Sequence, residues 1–594
     1  MENVDHETGV CAGIVGRSFS KLPVDARRER FGSFPSAIIR ATSSWSAPSK
    51  PRTTTLPRGA ADASAAARAE TRRSAPAARL DFGGLKCTRN SSLRLLAGLS
   101  IGLAAGCRRP AAAGRDVLVV AIEASPLSFD PRVGTDSASW RAHDVLYDGL
   151  MRKGASGEYL PGLAEGCTTD DAVLWRCRLR DALFFHDGRP VTSADVAYTY
   201  RSLVGPGLVT SKREPLKVIR EIRTPSARDV EFLLEEPYAS FPLQLLLGII
   251  PGGTTPEDAK EHPVGTGPYR IVEFRADDRL VFSRFDRHFD GPARTGTLVF
   301  RVVPDSTTRA LELLRGSVDL SVNNLPADLL PRFRRHPNLA VTECPGTTYA
   351  YLAFNLRDPV LAKREVRQAL ALALDRDALA DGLLRGTVET TETLVPPGHW
   401  ARDDGLPRLE RDLARARALL DAAGFPDPGG GRPRLRLTYK TSTDEGAILQ
   451  ATAIAAMWRE AGVEVAIRSN DFATFYQDVV RGSFQLFSLR WQGIVDADHY
   501  HEVFLSTAVP PKGWNRGFFS DPDVDRWILG ARRSVDLRER RDLYSRIQRR
   551  VAEELPYVSL YAMKTIVVHG KDLTGVETIH PSGDFTFLKN VGRE

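Results

Sequence analysis

Between Arg490 and His501 the chain reads RWQGIVDADHYH, and most of these side chains could do chemistry. Asp496 and Asp498 are two carboxylates one residue apart. Such a pair can work as acid and base on a glycosidic bond, or supply counter-charge to a cationic solute. Neighbouring loop acids are also common turn formers. His499 and His501 flank Tyr500 and would share a face on an extended segment. Two imidazoles begin a metal site without completing one, so metal or haem binding is a minor alternative. Gly265-Thr266-Gly267 invites a phosphate reading, but no Gly-Lys-Ser/Thr follows and the next residues are strand-like. A tight turn with two positive-φ positions is the expectation there. The chain carries no G-x-S-x-G, no H-E-x-x-H and no nucleophilic cysteine setting. No catalytic residue, metal ligand or cofactor is therefore assigned, and a secreted hydrolase built on Asp496 and Asp498 is the remote alternative.

The elements around these residues give the segment a position. Leu409, Leu413, Ala416 and Leu420 recur at helical spacing and Gly424 ends the run, which predicts a helix over 409–424. A strand is expected over 435–439, then a helix capped by Ser442 or Thr443 and stopped by Gly462. A strand over 463–467, a helix over 472–480 and a strand over 484–489 follow. Alternating strands and helices predict a parallel sheet. Ligands of open α/β sheets sit beyond the carboxyl ends of the strands, so the residues after Leu489 are the best physical candidates for a site.

Composition narrows the partners. The 594 residues carry a net charge of +7. Residues 1–106 hold 16 Lys and Arg against 8 Asp and Glu, so the remainder is near −1. The body gives no reason to expect nucleic acid. Residues 1–85 are rich in Ala, Arg, Ser, Thr and Pro without apolar periodicity and read as disordered or as untranslated leader, with a true start near Leu80 or Leu85. Lys86, Arg89 and Arg94 precede an apolar run from Leu95 to Ala105, which is too short to cross a bilayer and has the order of a secretory signal. Cys167 and Cys177 flank a turn-like Thr-Thr-Asp-Asp cluster. If two strands pair about Ala172, these cysteines face each other and could form a disulfide after export, with two buried thiols as the alternative.

The longest legible stretch is Leu174 to Val196, LWRCRLRDALFFHDGRPVTSADV. Trp175, Cys177 and Leu179 alternate with Arg176, Arg178 and Arg180, the period of a half-buried strand. His186 to Pro190 is a turn signal, and Thr192 or Ser193 offers an N-cap for a helix starting near Asp195. Leu179, Arg180, Phe185, His186, Asp187, Gly188, Pro190, Ala194, Asp195 and Val196 resemble the signature of the family 5 solute-binding proteins, receptors that deliver peptides and related solutes to ABC importers. Phe129-Asp130-Pro131, the GTGPY run from Gly265, and Asn355 with the helix Arg364 to Leu370 resemble further family segments. Asn515 with Phe519 does so too.

The resemblance runs from about Val117 to the C-terminus. It implies an α/β, two-lobed periplasmic-binding-protein-like (type II) fold with an extra subdomain in the first lobe. Residues 107–145, 265–345 and 556–594 would form lobe I, 146–264 the inserted subdomain, and 346–555 lobe II. Residues 86–106 resemble a lipoprotein signal peptide, with Cys107 as the lipidated first residue of a monomer anchored in the cell envelope or periplasm. The implied partners are ABC permease subunits in the inner membrane. The implied ligand residues are Ser128, Tyr349, Asn355, Trp491, Gln492, Gly493, Asp496, Asp498 and Asn515. In peptide-binding members an Asp three residues after the tryptophan pairs with the peptide's α-ammonium. Here that residue is Ile494. Either Asp496 or Asp498 takes the role, or the solute is not an ordinary free-amine peptide; oligosaccharides and metal chelates are alternatives.

Overall fold

The structure, a computed structural model, describes residues 116–594. The leader, the signal segment and Cys107 lie outside the described residues. Its backbone is one sheet of eleven strands that serves both lobes. Two long antiparallel strands, Leu339–Phe354 and Tyr557–Gly570, run through its middle. They pair from Leu339 with Gly570 to Ala353 with Tyr557, and the register shifts between Cys344 and Thr348. On one side of that shift, the end of the second strand pairs with Leu320–Val322, which leads to Val117–Ile122, Thr297–Val302, Arg279–Arg284 and Tyr269–Arg275. On the other side, Tyr349–Phe354 pairs with Leu486–Trp491, which lies parallel to Leu435–Ser442, itself parallel to Val463–Asn470. We call Leu339–Phe354 and Tyr557–Gly570 the hinge strands. At Gly346 a Cβ would overlap Met563 O, so the crossing needs glycine.

The apolar cores follow the chain. One gathers Leu118, Phe129, Phe282, Phe300 and Val567. A second, over residues 150–249, holds Trp175, Phe185, Tyr200, Phe232 and Phe241. Two more, on the two faces of the sheet beyond the register shift, are built around Trp458 and around Tyr351 with Trp491. Among the described residues no helix is long and apolar enough to cross a membrane.

The second core belongs to a separate four-stranded antiparallel sheet that includes Ala164–Thr168 and Leu174–Leu179. Trp175, Cys177 and Leu179 are buried, whereas Arg176 and Arg178 are exposed. Cys167 and Cys177 are register partners joined by a disulfide, with Cα atoms 4.2 Å apart. Thr192 and Asp195 form a reciprocal capping box that starts the helix Ser193–Val204.

Three sequence expectations need correction. The helix expected over 409–424 is Leu413–Ala422, because the Asp412 side chain accepts from Arg415 N and caps it there; Leu409 instead offers its carbonyl to Arg376. The cap expected at Ser442 or Thr443 is Asp444, since the strand continues to Ser442. Gly265 and Gly267 are not at positive φ. They are glycines because a Cβ on either would collide with the backbone of Leu146.

Candidate functional site

The parallel strands of lobe II end at Ser442, Asn470 and Trp491, and the densest group of functional side chains lies just past the last. Trp491 is the register partner of Tyr349 on the first hinge strand. Gln492 and Gly493 are exposed, and Gly493 takes a φ of 67° that turns the chain. Ile494 N then donates to Thr347 O at 3.1 Å, and the Ile494 side chain is buried. Trp491 stacks on Trp514 at 5.3 Å, lies nearly parallel to Tyr351 at 5.8 Å, and meets the His499 ring edge-on at 4.9 Å. The Arg516 guanidinium lies 4.6 Å from the Trp491 ring. His499 opens the helix His499–Phe504, so it does not share an extended face with His501. Burial brings the His499 pKa down to about 4, and the imidazole is neutral at pH 7. Among the described residues no three His, Cys, Asp or Glu gather as a metal site.

Asp496 and Asp498 are buried at the contact between lobe II and the subdomain. Asp496 accepts from Tyr159 Oη at 2.5 Å, from Ser240 Oγ at 2.9 Å and from the Asp498 backbone N–H at 2.7 Å. Ser240 Oγ in turn accepts from Arg540 at 2.7 Å. Asp498 faces Arg532 at 3.6 Å. Burial pushes the Asp498 pKa up to about 6, against the pull of Arg532. Two backbone bonds join the same surfaces, Ala239 N to Arg532 O at 2.7 Å and Trp400 N to Ser156 O at 2.8 Å. Asp496 thus links lobe II to residues 150–249, whereas Asp498 pairs with Arg532 inside lobe II.

The remaining expected residues are dispersed. Tyr349 Oη and Ser559 Oγ are 2.8 Å apart, bridging the hinge strands. They line a cavity of about 780 Å³ inside lobe II, between the helices Arg364–Leu372 and Leu537–Glu554. Its inner polar groups already bond one another, Thr393 to Tyr500 at 2.8 Å and to Gln548 at 3.0 Å. Asn355 donates to Gly482 O and Phe484 O, and Asn515 to Leu505 O and Phe519 O, so both amides tie loops. Ser128 Oγ accepts from Asp130 N in the loop after Ile122, beside Leu127, which is 84% exposed. A narrow gap of about 10 Å³ separates the hairpin turn near Gly157 and Tyr159 from Thr347, His399, Ile494 and His580.

Residues 158–509 match the model of the bacterial extracellular solute-binding proteins, family 5. The chain belongs to this family. As a family 5 protein it is an extracytoplasmic solute-binding receptor with a type II binding-protein fold. It is 26% identical over 510 residues to the dipeptide-binding protein of Escherichia coli, covering 80% of this chain and 94% of that protein. It is also 26% identical over 489 residues to the nickel-binding periplasmic protein of the same bacterium, covering 78% and 92%. The structure of the oligopeptide-binding protein AppA from Bacillus subtilis, in complex with a nonapeptide, superposes with a TM-score of 0.65 at 22% identity, over 80% of this chain and all but 1% of that one. Sequence reasoning on this receptor missed Tyr159, Ser240, Arg516, Arg532 and Arg540. Tyr159 lies 337 residues from Asp496, and no local pattern carries that pairing. Arg516 adjoins Asn515, the member of that pair expected from sequence.

Proposed function

We propose that this receptor captures a peptide-like solute between its lobes and hands it to an ABC-type import permease in the inner membrane. The observation that carries this reading is the pair of continuous hinge strands with the Trp491 group at their crossing into lobe II. Two lobes on one bending pair of strands can close around a solute and exclude water, and closure itself gives the permease a state to recognise. No covalent step is required, so the protein acts as a binder and not an enzyme. The name of the E. coli relative and the nonapeptide bound by AppA support peptides. Trp491, Gln492 and Gly493 form the centre of the site, with Ser128 entering from lobe I. We assign residues 86–106 as a signal peptide and Cys107 as the lipidated residue of an envelope-anchored monomer. The disulfide between Cys167 and Cys177 suits such an oxidising compartment.

One observation favours a second reading, a non-peptide solute. Ile494 is buried and apolar, and Asp496 already accepts three hydrogen bonds, so neither is placed for an incoming ammonium. Native mass spectrometry of the purified protein, before and after partial denaturation and dialysis, separates the two. A retained ladder of peptide masses supports peptide import. One sharp non-peptide mass replaces it with the second reading.

A further inference from the structure

Arg516 is 4% exposed, yet every hydrogen-bond partner of its guanidinium is neutral. Nη1 donates to Tyr351 Oη at 3.3 Å and Nη2 to Tyr476 Oη at 2.9 Å. Its flat faces meet the rings of Tyr476 at 5.1 Å and Trp491 at 4.6 Å. Among the described residues no carboxylate lies within 4 Å of it. Arg132 pairs with Asp130, Arg376 with Glu392, and Arg367 with Glu554; Arg309, equally buried and also without a carboxylate, instead gives its guanidinium to the backbone carbonyls of Val303, Pro304 and Asn324, whereas Arg516 has only two hydroxyls. A buried cation without a counter-charge is costly unless something supplies one.

A second observation points the same way. Trp491 is 9% exposed, and its Nε1–H is buried with no acceptor. The adjoining His499 Nε2 is likewise buried without a partner. An indole N–H is only a donor, so it needs an acceptor. Arg516 brings positive charge, Trp491 an idle donor, and His499 a second idle nitrogen, all around one ring. Trp514 stacks over Trp491 and touches His499, but is itself 44% exposed. Its indole covers the group from the solvent side without being fixed in a core.

We infer that Arg516, Trp491 and His499 form an anion subsite that takes a carboxylate of the solute when the Trp514 indole swings aside. The guanidinium supplies charge and the Trp491 N–H supplies direction. The subsite lies at the carboxyl end of Leu486–Trp491, where an open sheet binds its ligand. This inference rests on the receptor reading and names its substrate class: solutes that carry an acidic group beside a flat or extended body.

Two probes test it on the purified full chain. The first is a mixture of tri- to pentapeptides as free acids and as matched C-terminal amides, read by native mass spectrometry. Wild type should prefer the acids by about tenfold to a hundredfold, the range for one charge-assisted hydrogen bond. Arg516→Gln should abolish the preference, Arg516→Lys should keep part of it, and Trp491→Phe should reduce it while leaving the ring. The second probe is benzoate against benzamide, read as the shift of the Trp491 indole N–H resonance, assigned by Trp491→Phe. Benzoate should shift it and benzamide should not. If neither acids nor amides bind but benzoate moves the resonance, the peptide reading falls and the anion subsite stands. Equal retention of acids and amides overturns the subsite, as does a benzoate shift that survives Arg516→Gln or that never appears in wild type.

Discussion

His186 holds the loop at Gly267 with both of its ring nitrogens. Nε2 donates to Gly267 O at 3.0 Å, and Nδ1 accepts from Gly265 N at 3.2 Å. This joins the turn at Phe185 to Gly188 with the glycine loop some 80 residues later, which packs on the Leu146 helix end. An imidazole that must accept at Nδ1 cannot be protonated there. Burial accordingly brings its pKa down to about 4. Its folded value lies below its unfolded value of about 6.5. The stability tied to the neutral ring is therefore complete above pH 6.5 and is lost as the pH falls from 6.5 towards 4. His186→Ala should lower stability by about 2–4 kcal/mol at pH 7.5 and flatten the acid limb of a denaturation series. An acid limb as steep as wild type in the variant would remove His186 as its source.

Asp496 should act on closure and not on the solute directly. Tyr159→Phe removes the 2.5 Å hydrogen bond from the subdomain without touching the carboxylate. If the bond holds the lobes together, Tyr159→Phe and Asp496→Asn should weaken solute binding to a similar extent, about fivefold to fiftyfold, and both should raise the radius of gyration in small-angle scattering. An Asp496 that paired with a solute ammonium would behave differently, with Asp496→Asn severe and Tyr159→Phe silent.

Asp498 gives a pH signature of opposite sign to His186. Burial raises its pKa to about 6, while Arg532, His501 and Arg540 pull it down and Asp496 raises it further. A carboxyl whose folded value is above its unfolded value of about 3.9 binds more protons in the folded state between those values. Its contribution therefore grows as the pH falls from 6 to 4, by roughly 3 kcal/mol at most. The difference in melting temperature between Asp498→Asn and wild type should favour the variant at pH 8 and shrink as the pH approaches 4. A difference constant with pH would refute the assignment.

Much of this fold was legible because its signals are local. The strand Leu174–Leu179, its capped helix and the parallel unit from Leu435 to Trp491 follow from two-residue alternation, helical spacing and cap chemistry. For Cys167 and Cys177 the turn between them suggested a disulfide but left two buried thiols open, and the structure shows the disulfide. Of the proposed site, Trp491, Gln492 and Gly493 could be placed from sequence, because they lie at the end of a recognisable strand. The roles of Asp496 and Asp498 could not be, because their partners Tyr159, Ser240 and Arg532 come from distant segments. Asn355 and Asn515 stood out by their resemblance to family segments, and in the structure their amides close nearby loops.

The disulfide should stabilise the subdomain by an amount set by the loop it closes. It closes a loop of sequence separation 10 across adjacent strands. Chain-entropy arguments give about 2–3 kcal/mol for such a loop. Replacing both cysteines with alanine should lower the melting temperature and increase protease cleavage within residues 150–249 before the rest of the chain opens. Cleavage that begins in lobe II instead would place the least stable unit elsewhere.

Gly346 gives the most direct test of the hinge. It lies inside the register shift between Cys344 and Thr348, where the paired strands pass from one lobe to the other. A Cβ there would run into Met563 O, a backbone atom that cannot rotate away. Gly346→Ala must therefore push the hinge strands apart locally and should cost about 1–3 kcal/mol of stability. Cys344 belongs to one of the two lobe cores and Met563 packs against the other, so the displacement is felt at the near edge of each while the bulk of both cores lies further along the strands. The expected result is a folded protein with slower and weaker solute-induced closure, read as a reduced association rate in stopped-flow tryptophan fluorescence and a smaller compaction in scattering. If Gly346→Ala closes like wild type while losing the same stability, bending occurs elsewhere along the strands, and the register shift is a packing irregularity without a mechanical role.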